Sequence, residues 1–98
     1  MSRAVLVLAA LALFPGVASA QVNEAPAGAA ACSGCHPASK SVETPAPRLV
    51  GRAADEITSA MLAFRAGARP ATIMDRVAKG FSEDEIRAIA AWYAARKD

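Results

Sequence analysis

Apolar and polar positions divide this chain into stretches with different periods. Residues 4–14 are unbroken apolar, with Arg3 before them and Pro15-Gly16 behind. Residues 27–35 are rich in alanine and predict a short helix, whereas 37–47 carry Pro37, Pro45 and Pro47 with scattered hydroxyls and no apolar period, which is loop composition. Ile57, Ala60, Met61 and Phe64 then recur at helical spacing, so a helix is predicted over about 56–66, with Asp55 able to cap it and Gly67 and Pro70 ending it. Residues 72–79 have room for one or two helical turns, with Ile73, Met74 and Val77 as their apolar positions, before Gly80 stops them. The last element has the clearest start. In Ser82-Glu83-Asp84-Glu85 the serine and the second glutamate form a capping box, and the added acids suit the positive end of a helix dipole. Ile86, Ile89, Ala90 and Tyr93 make its inward stripe, and Arg96-Lys97 fall at its negative end. No stretch alternates as a strand does and there is no internal repeat, so the expected fold class is all-α.

The apolar run at 4–14 is too short for the roughly 20 residues a membrane span requires, and Ala18-Ser19-Ala20 supplies the small residues of a cleavage site. Residues 1–20 are therefore read as a cleaved signal peptide, and 21–98 as one exported domain with no stable membrane insertion. A periplasmic location is expected. Without Arg3, the ten remaining basic residues face nine acidic ones, a balance that gives no reason to expect a nucleic-acid partner. Beyond residue 20 the aromatics are Phe64, Phe81, Trp92 and Tyr93 only. A core this small calls for a staple such as a disulfide, a metal or a cofactor.

Both cysteines and the single histidine lie within five positions, Cys32-Ser33-Gly34-Cys35-His36. Zinc would need ligands that the chain does not have elsewhere. A thioredoxin-type dithiol needs a strand-rich fold, and a plain disulfide across two residues would close a loop too small to stabilise much and would leave His36 unexplained. The spacing is that of covalent haem attachment, in which two thiols each bond one vinyl group and the next residue presents an imidazole to the iron. One covalently bound haem c is the expected cofactor, with Cys32 and Cys35 as its anchors and His36 as an axial ligand.

The opposite axial position has no second histidine to fill it, so a methionine is expected there. Met61 shares the stripe of Ile57 and Phe64, the setting of a core methionine, and Met74 lies in less regular chain. Spacing favours Met74 and leaves Met61 open. Arg65, Arg69, Arg76 and Lys79 flank that segment and are either a basic docking collar or ordinary solvated faces.

With these features in place the chain resembles the class I c-type cytochromes, small all-α proteins of about four short helices around one haem. Pro47-Arg48-Leu49-Val50-Gly51 is similar to their P-x-L-x-G segment, and the resemblance implies that the Pro47 carbonyl accepts a hydrogen bond from His36, with Pro45 a weaker candidate. The stretch from Ala71 to Ser82, with Met74 inside it, resembles the methionine loop of the cytochrome subunit of flavocytochrome c sulfide dehydrogenases. That narrower resemblance implies Met74 as the axial ligand and an FAD flavoprotein as partner, in the monohaem form of the subunit. The expected function is electron transfer rather than catalysis by the chain itself. A free shuttle serving an oxidase or another dehydrogenase is the alternative, followed by a haem enzyme or sensor with an open iron site.

Overall fold

The computed structural model describes residues 24–97, so the expected signal peptide lies outside the described residues. These residues form four helices and no strand: α1 (Ala29–Cys32), α2 (Ala54–Arg65), α3 (Met74–Ala78) and α4 (Glu83–Ala95). The all-α expectation holds. None of these helices is long and apolar enough to cross a membrane.

Each helix boundary has a local cause, and some differ from the reading of the pattern. α1 is shorter than 27–35 because Gly28 adopts φ 85°, a left-handed conformation that cannot continue a helix. α2 begins earlier than expected, with Ala53 as N-cap and no side-chain cap. Asp55 therefore does not cap it. It lies inside the first turn with Glu56, where its charge acts on the helix dipole instead. At the other end Gly67, at φ 72°, lets its amide bond the Phe64 carbonyl and the Ala68 amide bond the Ala63 carbonyl, the paired closure of a Schellman motif.

The capping box of α4 forms as expected: the Glu85 amide donates to Ser82 Oγ at 3.1 Å and the Ser82 amide to Glu85 Oε1 at 2.9 Å. Its stripe of Ile86, Ile89, Ala90 and Tyr93 is buried throughout. α2 packs against both α3 and α4, and Ile57, Ile89, Ala90 and Tyr93 enclose Ala29 of α1. Met61 packs against this cluster, as its place on the stripe predicts.

The segment around α3 departs from a core reading. Ile73 is 60% exposed and Val77 37%, and the residue α3 buries completely is Ala78. The protein-only core is small, and the largest side chains wholly inside it are Tyr93 and Ile86. A domain of this size gains little from such a core alone.

Candidate functional site

The C-terminus of α1 generates the local geometry of the cysteine–histidine motif. Past Cys32 the chain keeps turning: amides of Ser33, Gly34 and Cys35 bond carbonyls three residues back, and the His36 amide bonds the Cys32 carbonyl at 2.9 Å. Cys32, Cys35 and His36 are thereby strung along one tight coil. Both cysteines are free thiols, Cys32 half-buried and Cys35 exposed. Burial pushes the Cys32 thiol up from its ordinary value, against the smaller opposing effect of hydrogen bonding. The Cys32 Sγ–H points back to the Gly28 carbonyl at 3.6 Å.

His36 is oriented from across the proline loop, where its Nδ1 lies 2.5 Å from the Pro47 carbonyl oxygen. A carbonyl only accepts, so Nδ1 carries the proton and Nε2 keeps its lone pair for a metal. Pro45 makes no such contact with the ring among the hydrogen bonds of the described residues. Two ties in this loop were not legible in the pattern. Arg48 donates Nε–H and Nη2–H to the single carbonyl of Ala38, at 3.0 and 2.7 Å, and Thr44 Oγ1 donates to the Ala46 carbonyl at 2.9 Å. Loop composition indicates irregular chain but not which side chains hold it.

The coil is held to the rest of the protein by α4. The Tyr93 hydroxyl donates to the Ala29 carbonyl at 2.5 Å and accepts from Ser33 Oγ at 3.0 Å. Its own proton is held more tightly than usual, chiefly through burial. The Gly51 amide donates to the Tyr93 carbonyl at 3.1 Å, which brings the end of the P-x-L-x-G segment onto the last turn of the same helix.

The two methionines occupy different settings: Met61 packs against the buried cluster, and Met74 opens α3, half-buried, between exposed Ile73 and half-buried Asp75. Arg65, Arg69, Arg76 and Lys79 are all exposed, with the Arg69 guanidinium 4.9 Å from the centre of the Phe64 ring. Arg65 and Lys79 also line a cleft of about 590 Å³ floored by Leu62 and Ala66.

These residues fit a haem in their donor chemistry. Two free thiols and an imidazole with its proton fixed on the far nitrogen are what covalent attachment and axial ligation require, and among the described residues no three His, Cys, Asp or Glu side chains come together as a protein-only metal site. Two buried polar atoms, Asp75 Oδ1 beside Met74 and Trp92 Nε1 on α4, have no hydrogen-bond partner. A buried group left in that state costs about 1–3 kcal/mol.

No family model matches the chain. It is similar to a curated relative from Chlorobaculum tepidum, the cytochrome subunit of sulfide dehydrogenase, with 34% identity over 62 residues. The match takes in 63% of this chain but 56% of the relative, so the chain spans little more than half the length of the protein it resembles.

Proposed function

We propose that the protein is an exported monohaem c-type cytochrome that carries electrons, and that it serves as the haem subunit of a flavin-dependent sulfide dehydrogenase. The observation that carries this reading is the His36 Nδ1–Pro47 contact immediately beside two free thiols in a C-x-x-C-H motif. The likeness to a sulfide dehydrogenase cytochrome subunit supports the choice of partner. Residues 21–98 form the haem domain and 1–20 the signal that takes it to the periplasm.

When bound, haem c supplies a one-electron couple between ferric and ferrous iron. The chain's residues anchor and tune it. Cys32 and Cys35 would hold the group through thioethers, and His36 Nε2 and Met74 Sδ would ligate its iron. The Pro47 carbonyl keeps the His36 proton on Nδ1, fixing the ring and raising the basicity of the ligating nitrogen. Tyr93 and Ser33 hold the attachment coil against α4.

The test is an absorption spectrum of the purified exported protein, oxidised and reduced, for the wild type, Met74→Ala and Met61→Ala. A c-type spectrum whose weak near-infrared methionine-to-iron band is lost in Met74→Ala alone is the expected result. Absence of covalent haem in the wild type overturns the proposal, and loss of the band in Met61→Ala alone moves the ligand to Met61. Isolation from its native host decides the partner: a bound FAD protein that reduces the haem on adding sulfide is expected, whereas a haem protein recovered alone indicates a free shuttle.

A further inference from the structure

We propose that Arg48 is a positioning residue for His36, acting through the proline loop; the inference rests on the proposed ligation of haem by His36. Pro47 and Arg48 are neighbours, and they grip the two residues on either side of Pro37. The Pro47 carbonyl takes the His36 ring proton, while the Arg48 guanidinium converges with Nε and Nη2 on the Ala38 carbonyl. The two contacts close a small ring of chain around Pro37, so the position of the Pro47 carbonyl is tied to the position of the backbone just beyond His36.

Backbone hydrogen bonding defines that loop only weakly. Pro37, Pro45 and Pro47 have no amide hydrogen, and the backbone hydrogen bond found within 37–47 is a long one, Val42 amide to Ser39 carbonyl at 3.4 Å. Ser39 with Ser41 and Thr44 with the Ala46 carbonyl are local ties, and the other contact across the loop, Thr44 Oγ1 to the Cys35 carbonyl, is long at 3.4 Å. A cationic donor making two convergent bonds is stronger and more directional than any of these. The fork of the guanidinium matters, because a lysine ammonium at the same place is a point charge on a flexible stem and reaches the carbonyl with less definite geometry.

The test uses the haem-loaded protein, with NMR observation of the His36 Nδ1–H proton and a redox titration for the wild type, Arg48→Ala, Arg48→Lys and Arg52→Ala. Arg48→Ala is expected to speed solvent exchange of the Nδ1–H proton at least tenfold and to raise the midpoint potential, because an imidazole that loses its acceptor donates less electron density to the iron. Arg48→Lys is expected to fall between Ala and wild type. Arg52 is exposed and paired with Glu56 on α2, and its removal is expected to change neither readout. Wild-type exchange and potential in Arg48→Ala, or in Arg48→Lys should the alanine variant fail to assemble, overturn the proposal. A wild type without haem is visible in its absorption spectrum, which separates failure of the haem reading from failure of this one.

Discussion

Tyr93, near the end of α4, donates its hydroxyl proton to the carbonyl of Ala29, the first residue of α1 and 64 positions earlier. α1 is only four residues long and could not persist alone, since an isolated helix of that length is far below what nucleation requires. It exists because α4 covers it: Ala29 is wholly buried and the hydroxyl satisfies a carbonyl of the turn that bears Cys32.

Tyr93→Phe removes this bond and the one from Ser33 while keeping the ring. The expected cost is about 1–3 kcal/mol, since both hydrogen bonds of a buried hydroxyl are lost. Denaturant unfolding measures the total. Amide exchange locates it, with faster exchange expected at the α1 and 33–36 amides and little change at the centre of α2.

Gly28 meets α1 from the other side. A Cβ built there would lie 2.5 Å from Phe81 Cε1, and its backbone holds φ 85°. Gly28→Ala is therefore expected to destabilise by about 2–4 kcal/mol, the sum of a left-handed alanine and a forced ring displacement. Adding Phe81→Leu should recover part of the loss by clearing the steric clash but not the backbone strain. Thermal unfolding of the two variants gives the comparison, and equal stability of the single and double variants would mean that the ring is not what the new methyl group meets.

The capping box of α4 brings a pH dependence. Hydrogen bonding to the Ser82 amide, and then to its side chain, lowers the pKa of Glu85 in the folded state. A carboxylate with a depressed folded pKa stabilises the fold above its unfolded pKa and loses that contribution as pH falls through the folded value. The stability of the wild type should thus drop in the acid range below about pH 4.3 more steeply than that of Glu85→Gln. Ser82→Ala is expected to cost about 1 kcal/mol at neutral pH, and urea titrations across pH follow both effects.

Replacing Cys32 and Cys35 together by serine removes the covalent anchors without adding bulk. Since the protein-only core is so small, the expected outcome is a chain with reduced helix content and a broadened unfolding transition, whereas Met74→Ala should keep the haem attached. Circular dichroism and the mass of the intact protein report the two properties. A double serine variant with full helicity and a sharp transition would show that the core of Tyr93, Ile86 and their neighbours folds without the staple.

Local sequence sets the coil of Cys32, Cys35 and His36, the capping box at Ser82, the buried stripe from Ile86 to Tyr93 and, among the described residues, the absence of strands. Each follows from residues within a few positions of one another, where backbone chemistry and helical period leave little choice. Gly67 and Gly80 end helices as the pattern indicates, but the start of α1 was less legible, because Gly28 had to be seen in its left-handed conformation against Phe81. Only the tertiary structure decided that Ile73 and Val77 face outward while Ala78 goes in, since spacing within so short a helix does not say which side a neighbour covers. It alone brought Arg48 to the Ala38 carbonyl and Tyr93 to Ala29. A hydrogen bond of that kind depends on where two distant stretches of chain cross, and that crossing is set by the packing of α1, α2 and α4 around a shared core.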